Sequence, residues 1–335
     1  MSASRLLFSP GSPVEIETFA VPTPGPKQVL VRNTHTQVSA GSEMNFLRHG
    51  AQAYGIKDSA SRISIGYMAV GRVAQVGADV TGFVVGDRVV TCGNHASHTL
   101  VDLSTPTFIE QIPDGVSDEV AGFVALGDIA LHGVRRASLQ IDESVVVFGA
   151  GMVGQLTLQF ARLAGAYPIV AVDLIEARLE KAQRSGATHL VNAGRDNVVS
   201  AVRALTGGAG AETVFHCTQI ANILQHLLEC TAERATLVLT GSPPGTATIR
   251  LQEELLRKEI TIVGIYEAGL MQAHAYWPWT RQRNRRACLR LLSEGQLRLD
   301  HLITHVVPYT AAPEIFEMML RGSDNWLGVV FKWPD

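Results

Sequence analysis

The residues best suited to chemistry lie in the stretch VVVFGAGMVG and in an aspartate 19 residues beyond it. Gly149, Gly151 and Gly154 fit G-x-G-x-x-G directly behind the short apolar run Val145–Phe148, and Met152 and Val153 open a helix-like segment. Gly149 allows a tight turn, Gly151 lets backbone approach a pyrophosphate, and Gly154 lets helix pack closely on strand. The free N–H groups of the new helix then face the phosphates. Asp173 ends the next apolar run, where an acid accepts from a ribose 2′-hydroxyl and repels a 2′-phosphate, so the expected cofactor is NAD. A second candidate is Asp128, alone among apolar neighbours in FVALGDIALHGV. A buried carboxylate is costly unless paired, so this acid implies contact with substrate hydroxyls or a catalytic partner, or else an N-cap of a kinked helix. A third is Tyr276-Trp277-Pro278-Trp279 with Arg281, Arg283, Arg285 and Arg286. Flat aromatic faces beside polar groups suit sugars, cyclitols or larger rings. They suit equally well an interdomain contact followed by a solvated helix start.

The elements that must position these groups follow from texture. At 335 residues the chain suits two domains. Residues 1 to about 125 read as short strands broken by turns (Val14–Phe19, Gln28–Arg32, Gly66–Gly77, Gly82–Val90), a barrel-like β pattern. Ser117-Asp118-Glu119 starts a helical run over Val120–Ala137. From Ser144 to about Gly264 strands and helices alternate, which predicts a parallel sheet covered on both faces, with ligand at the carboxyl ends of its strands. A helix over Ala287–Gly295 and a strand-like end, LGVVFKW, complete the chain. A hydrophobic content of 46% with 18% charged residues is that of an ordinary soluble protein. A net charge of −3 gives no footprint for nucleic acid or membrane surface. No apolar run reaches ~18 residues and no signal-peptide core is present, so a cytoplasmic location is expected. Cys92, Cys217, Cys230 and Cys288 have no C-x-x-C spacing and read as single thiols.

AVGRVAQVGADVTGFVVGDRVV (Ala69–Val90), the glycine fingerprint and GQLRLDHLITHVVP (Gly295–Pro308) together resemble the medium-chain dehydrogenase/reductase superfamily over nearly the whole chain. The resemblance implies an α/β protein in which a GroES-like, β-rich catalytic domain (1–127 and 267–335) carries an inserted Rossmann domain with a doubly wound parallel sheet (128–266). It places Gly241 and Gly264-Ile265 at strand ends bordering the nicotinamide. Arg178 falls along the adenosine, or pairs with Glu176 or Asp173. Ala40, Tyr67 and Ala125 stand where zinc-dependent members have ligands, and the cysteine-rich lobe is missing, which points to a metal-free branch. The proton must then come from a side chain. The matching candidates are Tyr67, or a plain packing residue; Ser42 and Glu43, or the start of a helix at Met44–His49; His95, with His98 nearby; and Asp128. The expected activity is hydride transfer between NAD and a secondary alcohol or ketone of a polyhydroxylated, small-molecule substrate. A C=C (quinone or enoyl) reductase and a non-catalytic dinucleotide-binding protein are the alternatives. A homodimer paired through Ile260–Ile265 is expected from the same resemblance.

Overall fold

The computed structural model describes residues 2–50, 62–266, 272–322 and 326–334. In chain order the strands and helices begin β1 (Ser2–Leu7), β2 (Glu15–Ala20), β3 (Gln28–Gln37), α1 (Ala40–His49), β4 (Ala69–Val76), β5 (Arg88–Thr91), β6 (His98–Asp102), β7 (Ile109–Gln111), α2 (Asp118–Ala121) and α3 (Val124–Ala137). The alternating region follows: β8 (Val145–Phe148), α4 (Met152–Leu163), β9 (Ile169–Asp173), α5 (Glu176–Arg184), β10 (His189–Asn192), α6 (Val198–Leu205), β11 (Ala211–His216), α7 (Leu224–Cys230), β12 (Thr231–Leu239) and β13 (Thr261–Gly264). The chain ends with α8 (Arg281–Ser293), β14 (Ile303–Pro308), α9 (Ala312–Leu320) and β15 (Gly328–Lys332).

Two compact units result. The first comprises Met1–Ala125, Arg285–Gly295 and Leu302–Asp335; the central one comprises Leu126–Asn284 and Gln296–His301. The division differs from the expected boundary at 266/267, because the described residues 272–284 and the segment 296–301 belong to the central unit. The first unit holds the β1–β2 pair and a seven-stranded sheet ordered β14-β15-β3-β4-β5-β7, with β6 also paired to β3. Its core joins both ends of the chain: Leu6, Phe8, Phe46, Phe316, Phe331 and Trp333 form one buried cluster. The central unit is a six-stranded sheet ordered β10-β9-β8-β11-β12-β13, with every pairing parallel. Numbered from β8 this is 3-2-1-4-5-6, the dinucleotide-binding order, whose direction reverses between β8 and β11. Ligands bind at that reversal, outside the carboxyl ends of the strands.

Several local expectations change. β1 was not foreseen, and only Arg88–Thr91 of the Gly82–Val90 run is strand, the preceding Val84 and Val85 being exposed. The single helix expected over Val120–Ala137 is two. The Gln37 amide donates to the carbonyls of Asp118 and Glu119, and a Cβ on Gly122 would lie 1.7 Å from its Oε1. That side chain occupies the space and the acceptors where α2 ends. Likewise α1 begins at Ala40, before Met44, and α8 begins at Arg281, before Ala287.

Asp118 pins the start of α2 to the sheet through Arg88, at 2.6 Å, and through Thr34. Burial pushes its carboxyl pKa up, but hydrogen bonding to His35, the Arg88 guanidinium and Thr34 outweighs burial and holds it well below its ordinary 3.8. A carboxyl depressed on folding stabilises above its unfolded pKa and loses that contribution as pH falls through the folded value. Asp118→Asn is therefore expected to cost about 1–3 kcal/mol at pH 7. In thermal melts across pH, the gap between variant and parent closes progressively below pH 4; a gap constant down to pH 2 contradicts this reading.

Candidate active site

In the central unit, the glycine motif forms as the sequence requires. Gly149 has φ +95°, and a Cβ on Gly154 would lie 1.8 Å from the Gly149 carbonyl oxygen, so neither tolerates a side chain. Above Gly151 a Cβ would meet nothing within 4 Å, and no side chain caps the first turn of α4. The open backbone, the helix dipole and the uncapped N–H groups of Met152 and Val153 fit a pyrophosphate. Asp173 sits at the carboxyl end of β9, half-buried, accepting from Ala150 N at 2.7 Å and Ile175 N at 2.9 Å. A carboxylate has about four acceptor sites, so ribose hydroxyls can still be accepted while Asp173 braces the loop. Gln155 donates to the carbonyls of Ala150 and Arg178, which ties the start of α5 to the same loop. Glu176 is taken by Asn192 and Arg195. At the ends of β12 and β13, a Cβ on Gly241 would lie 2.3 Å from the Thr218 carbonyl oxygen. Ile265 hydrogen-bonds back to Leu239, and Gly264 has no neighbour close enough to require glycine. These residues suit a dinucleotide.

Asp128 is neither at a helix start nor exposed. It lies inside α3 with no accessible surface, accepting from Asn284 Nδ2 at 2.8 Å, with Arg281 Nε 3.7 Å away. Asn284 in turn accepts from Arg135. The cost of the buried carboxylate is met by partners about 156 residues along the chain.

The first unit gathers a second set. His95 is fully buried between Phe8, Phe316 and Phe331. Its Nε2 lies 3.1 Å from Glu43 Oε2, and its Nδ1 lies 2.8 Å from Thr36 Oγ1, which also accepts the Trp333 indole N–H at 3.0 Å. The other Glu43 oxygen accepts Ser39 N–H at 2.9 Å, a carboxylate reaching back over the helix N-terminus much as in a capping box. Ser39 is buried, and its hydroxyl exchanges a hydrogen bond with the Tyr67 hydroxyl. Gly66, at φ +109°, lets the chain pass over His95, since a Cβ there would lie 2.9 Å from the imidazole. Tyr67 is thus half-buried, presenting a phenol oxygen backed by a fixed serine.

Glu43 and His95 are brought together but have no surface for substrate; they hold Ser39 and Tyr67 in place. Ser42 is half-buried in the first turn of α1 beside them. His98 lies in β6, its pKa lowered by burial and by Arg32. Ser39 was missed by the sequence reading; a serine four residues before a glutamate at a helix start was the available signal. Ala40 and Ala125 carry no donor atoms, and no group of three His, Cys, Asp or Glu side chains is placed to hold a metal ion among the described residues. The side chains at these positions do not fit a zinc ion.

Comparison with known proteins agrees with this architecture. The family model for the alcohol dehydrogenase GroES-like domain matches residues 25–125, and that for zinc-binding dehydrogenase matches residues 152–281. D-guloside 3-dehydrogenase of Escherichia coli (strain K12) is 29% identical over 76% of this chain and 73% of its own length. Sorbitol dehydrogenase of Gallus gallus is 27% identical over 92% of this chain and 91% of its own. The solved structure of 2R,3R-butanediol dehydrogenase from Bacillus subtilis superposes with a TM-score of 0.84 at 22% identity, covering 99% of this chain and 100% of that one. The chain belongs to the medium-chain dehydrogenase/reductase superfamily and is an oxidoreductase acting on CH–OH groups.

Proposed function

We propose that the protein exchanges hydride between NAD and a secondary hydroxyl of a polyhydroxylated substrate without zinc, with Tyr67 handling the substrate proton. The observation that carries this reading is the Tyr67 phenol hydrogen-bonded to a buried serine, at a position where the family resemblance implies a metal ligand. Bound NAD supplies the hydride acceptor at its nicotinamide ring. The glycine loop and the start of α4 would hold the pyrophosphate, and Asp173 would hold the ribose.

In the reductive direction the Tyr67 phenol would give its proton to the ketone oxygen, leaving a phenolate that accepts the Ser39 hydroxyl; in the oxidative direction that phenolate would take the alcohol proton and return to the phenol. Glu43 fixes Ser39 through its backbone N–H, and His95 fixes Glu43. Both act through Tyr67 and neither needs to touch substrate. The polyhydroxylated substrate class is supported by the guloside and sorbitol dehydrogenases among the relatives. β13 forms an edge of the central sheet, and a homodimer built on that edge is part of the same proposal.

With NAD and a panel of sugars, polyols and cyclitols, EDTA-treated enzyme is expected to retain full activity. Loss on chelation with recovery on adding zinc would falsify the metal-free mechanism. Tyr67→Phe should lower kcat by about 10²–10⁴-fold while NADH affinity stays constant; an unchanged kcat removes Tyr67 from the reaction. Asp173→Ser should weaken NAD about 10–100-fold and narrow its advantage over NADP, measured as the ratio of kcat/KM values. If parent enzyme prefers NADP or reduces enones in place of oxidising alcohols, the reading is wrong.

A further inference from the structure

The basic and aromatic segment before α8 is absorbed by nothing above. Its local arrangement runs against helix electrostatics. The first turn of α8 holds Arg281 and Arg283 and no acid, although a helix N-terminus favours negative charge. Two further guanidiniums, Arg135 and Arg136, close the last turn of α3. The two groups meet on tryptophans. Arg135 and Arg283 stack on the indole of Trp279, 3.6 Å and 3.9 Å from its centroid, and Arg136 lies 5.6 Å from the centroid of Trp277. Stacking on an indole partly offsets the cost of holding like charges together, but it supplies no counter-charge. Arg136 and Arg283 form no ion pair among the described residues. In this cluster the carboxylate of Asp128 is already engaged by Asn284 and Arg281.

An independent observation marks the same place. His132, one turn before Arg135 and Arg136 on α3, is 3% exposed, and its Nδ1 has no hydrogen-bond partner among the described residues. Its ring meets Trp277 edge to face at 5.8 Å, and among the described residues the Trp277 indole N–H likewise has no partner. Orphaned buried polar atoms are satisfied by a water, an ion or a ligand group, and here two of them lie beside guanidiniums that form no ion pair among the described residues. Burial, with Arg136 and Arg135 nearby, pushes the His132 pKa down to about 4, so the ring is neutral at working pH. The location is tied to the reaction. A Cβ on Gly133, the next residue, would lie 3.0 Å from Thr240 Oγ1 and 3.7 Å from Ile265, at the ligand-binding ends of β12 and β13.

We propose that the end of α3 and the start of α8, with Trp277 and Trp279, form a subsite for an oxyanion, so that the preferred substrate is a polyol bearing a carboxylate or phosphate. Arg136 and Arg283 supply the charge, Trp279 and the Pro278 carbonyl hold Arg283 in position, and His132 and Trp277 complete the hydrogen bonding. This deepens the oxidoreductase reading and rests on it for the word substrate; the anion site itself does not depend on it.

The test has a binding arm and a kinetic arm. In the binding arm, inorganic phosphate is titrated into cofactor-free protein at constant ionic strength, read by tryptophan fluorescence and calorimetry. Saturable binding is expected, weakened about 10-fold or more in Arg283→Gln and Arg136→Gln, both exposed positions whose folding is checked by circular dichroism. Arg234→Gln, an exposed arginine paired to Glu259 elsewhere, controls for lost net charge and should bind as the parent does. In the kinetic arm, kcat/KM is compared for sorbitol, gluconate and sorbitol 6-phosphate. The acidic substrates should be preferred, their advantage over sorbitol should shrink about 10-fold in Arg283→Gln, and the better of the two identifies the anion. Absence of saturable phosphate binding, or an equal loss in Arg234→Gln, overturns the subsite, as does turnover that favours the neutral polyol unchanged by Arg283→Gln. Phosphate binding that depends on Arg283, with no polyol oxidised at all, upholds the anion site and rejects the polyol reading instead.

Discussion

Glu43 and His95 lie with essentially no exposure inside the aromatic core of the first unit, and most of what surrounds them follows from that burial. A carboxylate and an imidazole taken out of water must find partners for every polar atom, or the unit loses several kcal/mol. The partners come from five places: Thr36 at the end of β3, Ser39 before α1, Glu43 within it, the loop carrying His95, and Trp333 beyond β15. The last strand of the chain therefore returns to the first sheet with a defined register, Val330 opposite Gln37 and Lys332 opposite His35. It also means that replacing Glu43 or His95 damages fold and site together. Tyr67, at the accessible end of the same chain of contacts, is where chemistry and stability can be separated.

The central unit obeys a different constraint, set by backbone geometry. Its fingerprint works because Gly154 lies against the Gly149 carbonyl and because Asp173 accepts from the loop amide of Ala150. In the proposed reading the acid that would meet the ribose thus also shapes the loop that would take the phosphates. Cofactor choice and loop geometry would then share one side chain, and a change at Asp173 would be felt at both.

These two constraints differ in how far the sequence discloses them. The glycine loop, its strand, its helix and Asp173 lie within one short segment, so spacing alone revealed their arrangement. The alternation and the apolar runs disclosed a parallel sheet covered on both faces, while its order, 3-2-1-4-5-6, is legible only in the structure. The first-unit network was only half legible. Glu43, His95 and Tyr67 could be named as chemically interesting, but their pairing depends on contacts 52 and 28 residues apart, and the Trp333 bond to Thr36 spans 297. Asp128 shows the same limit. An isolated acid in an apolar helix announces a partner, yet nothing nearby in sequence says that the partner is Asn284. The break between α2 and α3 was hidden for a related reason, since it is made by Gln37 from a distant strand filling the space beside Gly122.

Local rules fail in an informative way at α8. A run of arginines in a first turn opposes the helix dipole, and a composition-based reading assigns it to a solvated face. The structure instead stacks one of these cations, Arg283, on the same indole as Arg135 of α3 and leaves a histidine nitrogen and an indole N–H unpaired beside them among the described residues. Sequences whose levels agree fold without such conflicts, and the exceptions gather where a ligand supplies what the chain lacks. In the first unit the polar groups around Glu43 and His95 satisfy one another, consistent with a framework that holds Tyr67 ready. In the central unit Arg136 and Arg283 and the orphaned nitrogens of His132 and Trp277 do not among the described residues, and the partner proposed for them has the charge and hydrogen-bonding capacity of an oxyanion.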